Sequence, residues 1–375
     1  MFALHRFLAV LMKEFVQMRR DRLTFAMMIG VPVMQLVLFG YAINMDPKGL
    51  PTAVVTAESS VFSRSLTRAL ENTGYFRVVA TPASVREGER LIALGKVQFV
   101  MQVPEDFARR IQRGEPAVVL VEADATDPAA TSNALAALQQ LAATGLQHDL
   151  TGPLARAGTA AQPLEIRVHR RYNPEGITQY NIVPGLMGVV LTMTLVMMTS
   201  IAMTRERERG TMENLLATPV RPLEVMLGKI VPYILVGYVQ VVVILVAAAF
   251  LFRVPMVGSL VLLSLVLVLF IATNLAIGFT FSTIAKSQMQ AMQMTMFFFL
   301  PSMLLSGFMF PFRGMPGWAQ VLGEALPLTH FLRIVRGILL KGSGIADVAP
   351  HLWPLAVILL LVSAAALKRY QRTLD

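Results

Sequence analysis

The chain has 375 residues, 55% of them hydrophobic and only 15% charged, with no cysteine and a mean hydropathy of +0.60. That composition excludes an ordinary soluble domain and points to an integral membrane protein. The 33 Lys+Arg against 23 Asp+Glu give a net charge of +10, but the bases flank apolar runs instead of lining one polar face, which argues against a nucleic-acid partner. Without cysteine there are no disulfides, thiolate metal sites or cysteine nucleophiles, and His5, His148, His169, His330 and His351 show no ligand spacing.

In chain order, residues 1–22 place Phe2, Leu4, Phe7, Leu8, Leu11 and Phe15 among basic residues, the pattern of a helix lying in the membrane interface. The alternative is a cytosolic stub that only supplies positive charge. Residues 23–43 are uncharged and long enough to span; they read as a retained first transmembrane helix, not a cleaved signal peptide. Hydropathy then falls from residue 44 to about 177, which predicts one inserted external domain. Within it β-rich runs at 52–57, 76–81, 97–103, 117–122 and 164–169 alternate with helix-like runs at 59–72, 83–95, 105–113 and 129–150. A small α/β domain is expected, with helix starts at Pro104-Glu105-Asp106 and Thr126-Asp127-Pro128.

Uncharged runs at 180–204, 230–252, 257–284, 288–311 and 353–367 bring the expected spans to six. The predicted fold class is therefore an α-helical integral membrane protein: an interfacial helix, transmembrane helix 1 at 23–43, the external α/β domain at 44–177 and transmembrane helices 2–6 within 178–375. Lys and Arg crowd the region before 23, the loop after 204 and the stretch after 367. By the positive-inside rule both termini are cytoplasmic and the insert lies outside. Arg313, Arg333, Arg336 and Lys341 do not fit this pattern. Taking 311–327 and 328–340 as re-entrant or interfacial helices removes the conflict, with Arg333 and Arg336 snorkelling to water at the outer headgroups; the alternative is an ordinary external loop. Pro301-Ser302 is expected to kink or break the fifth span, with Ser306-Gly307 one turn later.

The densest charge cluster is Arg205-Glu206-Arg207-Glu208-Arg209, followed by Gly210 and the amphipathic piece Thr211-Met212-Glu213-Asn214-Leu215-Leu216-Ala217. Alternating signs exceed what a positive-inside anchor requires, and a short helix here suits docking on a cytosolic partner. A solvated loop that merely orients span two is the competing reading. Residues 206–220, continued by Arg221-Pro222-Leu223-Glu224 and Leu227-Gly228-Lys229, resemble the signature block of type-2 ATP-binding-cassette permeases. Arg171-Tyr172-Asn173-Pro174-Glu175, leading into Asn181-Ile182-Val183-Pro184-Gly185, resembles the approach to span two in the same permeases. The resemblance covers the whole chain and its large external domain matches the multidrug-type efflux branch.

The resemblance implies an elbow helix over 1–22 and a coupling helix at about 205–217 seated in a groove of a cytosolic ABC ATPase. Arg205, Glu206, Arg207, Glu208, Gly210, Thr211, Glu213, Leu215 and Leu216 are its contact candidates. It also implies a second permease copy, identical or related, and a possible periplasmic membrane-fusion protein besides the lipids. No cofactor is expected on this chain; ATP and Mg belong to the ATPase. In agreement, no G-x-x-x-x-G-K-[ST] run occurs, so no loop of backbone amides is available to cradle phosphates. The chain is therefore not an enzyme by itself.

Spans two and five are rich in methionine, whose flexible thioethers adapt to varied apolar ligands. Met193, Met197, Met292 and Met296, with Phe299 and Pro301, are candidates for the translocation path; ordinary lipid-facing or packing methionine is the competing reading. Gln35, Gln240 and Asn274 are the polar candidates inside the spans and none is charged. A secondary transporter would lack its titratable relay. The expected function is the permease subunit of an ATP-driven exporter in the inner membrane, carrying amphiphilic small molecules or drugs. Lipid or polysaccharide export, or an anchored interaction protein acting through its external domain, are the alternatives.

Overall fold

The computed structural model describes residues 46–150, 164–208 and 222–372. The interfacial helix and the first span expected over 1–43, and most of the loop 205–217, lie outside the described residues. Strands β1 (Leu50–Thr56), β2 (Phe76–Ala80), β3 (Phe99–Val103), β4 (Ala117–Asp124) and β5 (Leu164–Arg171) form one sheet in the order β2-β1-β3-β4-β5. Strand β1 is parallel to β2 and β3, β4 is antiparallel to β3, and β5 is parallel to β4. Between the strands run α1 (Val61–Asn72), α2 (Val85–Ala93), α3 (Phe107–Arg113) and α4 (Pro128–Thr144).

Central strands β1 and β3 are buried on both faces and carry near-continuous apolar runs, as a doubly covered sheet requires. One face packs Leu50, Val54 and Phe99 against Leu66 and Leu70 of α1, Phe107 and Ile111 of α3 and Leu138 of α4. The other packs Ala53, Val55 and Val100 against Ile92 of α2. Asp127 caps α4, accepting from the Ala130 amide, with Pro128 at the first helical position. Asp106 precedes α3 without capping it; its carboxylate takes Arg110 at 2.5 Å instead.

The 171–177 stretch joins the sheet to the first described membrane helix. Arg171 pairs with Glu122 at 2.8 Å and with Glu89, Tyr172 packs against the α2 face of the sheet, and Asn173 accepts from the Ile177 amide and donates to the Ile177 carbonyl. The motif is thus a rigid corner, locked at both of its ends.

The helical part comprises α5 (Thr178–Glu208), α6 (Pro222–Phe250), α7 (Leu260–Ile284), α8 (Gln288–Leu305), α9 (Gly317–Glu324), α10 (Pro327–Arg336) and α11 (Ile345–Arg372). Four of them, α5, α6, α7 and α11, are long and apolar enough to cross a membrane. Helix α8 has 18 residues, its hydropathy lowered by Gln288, Gln290 and Gln293. Helix α7 is the hub, packed along α5 and α11. Gly278 makes this possible: a Cβ there would lie 2.7 Å from the Val196 carbonyl oxygen of α5, so the two backbones touch.

Two expectations need correction. Helix α8 runs through Pro301 without a break and ends at Leu305. Proline removes one donor, and a membrane helix tolerates that loss. The chain turns instead at Gly307, whose φ of +84° suits glycine alone. Nor does Arg336 snorkel: its Nε and Nη2 are buried, and its Nη1 donates to the Gly307 carbonyl at 3.1 Å.

The helices alternate in direction. The start of α5 meets the α/β domain through Asn181 and Asp127 at 3.2 Å, and the turn before α7 meets the turn Gly337–Lys341 that follows α10 through the Val257 amide and Leu339 carbonyl. The end of α8 meets Arg336. At the far side the end of α5 meets the start of α8.

Candidate functional site

The far end carries the part of the charged loop that the structure describes. Arg205 and Glu208 are exposed on the last turns of α5; the side chains of Glu206 and Arg207, and Gly210, Thr211, Glu213, Leu215 and Leu216, lie outside the described residues. Glu208 Oε1 accepts from the Gln288 amide at 2.9 Å and Oε2 from its side-chain amide at 2.6 Å. Both bonds favour the ionised carboxyl and hold it below its usual range. Ser287 caps the same helix start through the Gln290 amide. The last turn of α5 is therefore bolted to the first turn of α8.

A second tie lies midway, where Ser200 of α5 and Thr295 of α8 share a buried hydroxyl pair at 3.2 Å. Helices α5 and α8 carry the path candidates. Ile182, Leu186, Met193 and Met197 recur at helical spacing on an incompletely covered stripe of α5, as do Met289, Met292 and Met296 on α8. Pro301 is half-buried. Phe299 does not join the stripe: it is 8% exposed and packs in the helix core with Met187, Phe270 and Phe331. Of the polar candidates, Gln240 accepts from the Thr194 hydroxyl at 2.9 Å, and Asn274 donates to the Phe270 carbonyl; Gln35 lies outside the described residues.

Where the helices meet the α/β domain there is a polar chamber of about 410 Å³. Sequence reasoning missed it. Lys341 crosses from the helical part to bind Asp124 at 2.5 Å and the Ile92 carbonyl at 3.3 Å, with its ammonium 5.1 Å from the Tyr172 ring centre. Arg313 donates to the Gly95 carbonyl at 2.7 Å. Arg333 forms a two-point pair with Glu324, at 3.0 and 2.6 Å, and stacks over Phe312. Arg336 sits deeper, near Asp127, whose carboxyl burial pushes upward while Arg336 draws it down. The signal was four bases recurring in the apolar run 313–341, which positive-inside counting treats as surface charge.

Beside the chamber His330 is 3% exposed. Its Nε2 lies 2.8 Å from the Glu324 carbonyl, to which the neutral ring donates, while Nδ1 is buried with no hydrogen-bond partner among the described residues. Burial lowers its pKa. The facing groups are the Glu324 carboxylate at 3.8 Å, Arg333 of its own helix and the His351 ring at 5.7 Å. A depressed pKa means that stability from neutral His330 is complete above about pH 6.5, the unfolded value, and is lost as pH falls toward the folded one. Purified protein should thus lose stability as the pH falls below about 6.5, by up to about 1.4 kcal/mol per pH unit from this group. Melting curves of His330→Gln should show a flatter pH dependence; an unchanged slope would remove His330 as its source.

A family model described as an ABC-2 family transporter protein matches residues 22–368. A probable multidrug ABC transporter permease, YbhR of Escherichia coli (strain K12), is 28% identical over 368 residues, covering 98% of this chain and 99% of that one. The probable multidrug ABC transporter permease YbhS of the same strain is 30% identical over 344 residues, covering 89% and 88%. Its inner membrane transport permease YhhJ is 27% identical over 365 residues, covering 91% and 93%.

Proposed function

The chain belongs to the ABC-2 family of transporter proteins, and from that premise we propose that it is the permease subunit of an ATP-driven exporter of amphiphilic small molecules or drugs. It is a multi-pass membrane protein with a sheet-containing α/β part that precedes the membrane helices among the described residues. The observation that carries the cargo class is the near-full-length similarity to permeases named for multidrug transport. Apolar, methionine-bearing stripes on α5 and α8 support it.

In this reading six helices span: residues 23–43, then α5, α6, α7, α8 and α11. Helix α8, with 18 residues, is about 27 Å long at 1.5 Å per residue, close to the hydrocarbon thickness. Helices α9 and α10 are re-entrant or interfacial, the α/β domain is periplasmic and both termini are cytoplasmic in the inner membrane. A second copy covers the open stripes of α5 and α8, and a membrane-fusion protein meets the α/β domain. A cytosolic ABC ATPase hydrolyses ATP with Mg and grips residues 205–217.

The test is co-purification in mild detergent, identification of the bound ABC ATPase and reconstitution of the two into vesicles. Drug-stimulated ATP hydrolysis and ATP-dependent dye export are expected; stable recovery without an ATPase and without ATP-dependent flux would reject the reading. Sidedness has its own test in this cysteine-free chain. Ser132 and Lys286 are both exposed. Ser132→Cys should react with an impermeant maleimide in cells with a permeabilised outer membrane, and Lys286→Cys should react only after lysis. Equal labelling of both would overturn the arrangement.

A further inference from the structure

We propose that the chamber between the α/β domain and the ends of α8, α10 and α11 is a binding site for a phosphoryl anion, anchored by the unpaired edge of the Arg336 guanidinium. The inference does not depend on which compound is exported. Arg336 ends α10 and is fixed by one bond, from Nη1 to the Gly307 carbonyl. Its other two nitrogens, Nε and Nη2, are buried and have no hydrogen-bond partner among the described residues. They form one edge of the guanidinium, the fork whose two parallel N–H groups match two oxygens of one anion. Leaving two buried donors without an acceptor is costly, and an anion satisfies both at once.

The carboxylates around the chamber do not fill that role. Asp124 is taken by Lys341 and by the Thr126 amide and hydroxyl, Glu324 by Arg333, and Asp347 by the Gly344 amide. Asp127 is the nearest, yet its Oδ1 accepts from Asn181 and from the Ala130 amide, and neither Nε nor Nη2 of Arg336 bonds to it. Arg313, also lining the chamber, offers a second guanidinium, one of whose nitrogens is hydrogen-bonded among the described residues, to the Gly95 carbonyl. Two guanidiniums at one cavity suit a tetrahedral group with several oxygens better than a two-oxygen carboxylate. The volume of about 410 Å³ admits such a group with its first substituents. A phosphoryl group arrives from either of two sources. One is the headgroup of a phospholipid whose chains lie against Trp318, Val321 and Leu322, all exposed on α9, the helix that lines the chamber through Gln320 and Glu324. The other is a soluble phosphate.

The test uses the full-length permease in dodecyl maltoside, titrated with inorganic phosphate, with dihexanoyl-phosphatidylglycerol and with acetate, followed by melting temperature and calorimetry. Phosphate-bearing probes should bind and stabilise. Arg336→Lys, which keeps the charge but loses the fork, should weaken binding at least about tenfold, equivalent to about 1.4 kcal/mol. Arg313→Gln should weaken it less. Asp127→Asn keeps the helix cap and removes the competing carboxylate, so binding should tighten, a gain that a purely structural site would not give. If Arg336→Lys fails to fold, Arg313→Gln and Asp127→Asn decide the matter by opposite shifts. Binding of the short-chain lipid alone identifies a headgroup site, and binding of inorganic phosphate alone identifies a soluble anion. The proposal is overturned if neither phosphate probe binds, if acetate binds as well as they do, or if binding is unchanged in all three variants.

Discussion

Glu213→Lys and Gly210→Val are expected to leave the permease inserted at wild-type levels while transport falls to background and recovery of the ATPase in pull-downs drops. A contact that must reform in every ATP cycle relies on charge pairs at its rim to set register and on a small apolar anchor, here Leu215 or Leu216. Reversing one partner of a close charge pair costs on the order of 2–5 kcal/mol, or about 30-fold and more in affinity. In the proposed coupling contact, glycine at 210 leaves the backbone the freedom to approach the docking segment sharply, and a β-branched residue there restricts it.

The structure adds a control that separates docking from transmission. The Glu208 carboxylate holds both the backbone and side-chain amides of Gln288, so a push delivered beyond residue 208 reaches α5 and α8 together. Glu208→Ala should therefore lower transport severalfold more than it lowers recovery of the ATPase in pull-downs. If Glu213→Lys and Gly210→Val both transport normally at wild-type expression, the charged loop only orients the second span.

Much of this architecture was legible in sequence because it is local. The strand and helix runs of the insert follow periodicity and turn chemistry. Thr126-Asp127-Pro128 starts α4 for a reason visible in the triplet itself, a side-chain acceptor followed by a proline that has no amide to satisfy. The spans of α5, α6, α7 and α11 follow from uncharged length. Pro301 does not break α8, because the sequence records the missing donor but not the neighbours that make it tolerable; the turn belongs to Gly307, where the backbone is left-handed. Phe299 resembled its methionine neighbours in composition, yet α8 turns it into the core. The chamber was invisible for a different reason. It is assembled by Asp124 and Asp127 of the insert with Arg313, Arg336 and Lys341, some two hundred positions later, and single charges at such separation leave no periodic trace. Arg336 looked like a snorkelling side chain because nothing local shows that Gly307 and the α/β domain cover it.

The largest stability effect is expected at the Lys341–Asp124 pair, which ties the α/β domain to the helices. Both side chains are about one-tenth exposed and their charges stand 2.5 Å apart. Breaking a buried pair by removing one partner costs about 3–5 kcal/mol, because the remaining charge is left uncompensated. Asp124→Asn is the sharper of the two single changes. It keeps an acceptor for the Thr126 amide and hydroxyl but leaves the Lys341 ammonium, among the described residues, with the Ile92 carbonyl at 3.3 Å and the Tyr172 ring. Lys341→Met should cost less, since Asp124 retains both bonds to Thr126. The double variant Asp124→Asn/Lys341→Met should recover most of the loss, because a neutral, well-filled site often matches a buried ion pair in stability. The readout is a double-mutant cycle in apparent melting temperature, paired with limited proteolysis at the 171–177 corner. A strongly non-additive cycle, with faster cleavage in Asp124→Asn and near-normal cleavage in the double variant, makes the pair the clamp that seats the domain. Additive effects within about 0.5 kcal/mol would show that the two residues act independently, and the seating of the domain would then rest on Arg313 and Asn181.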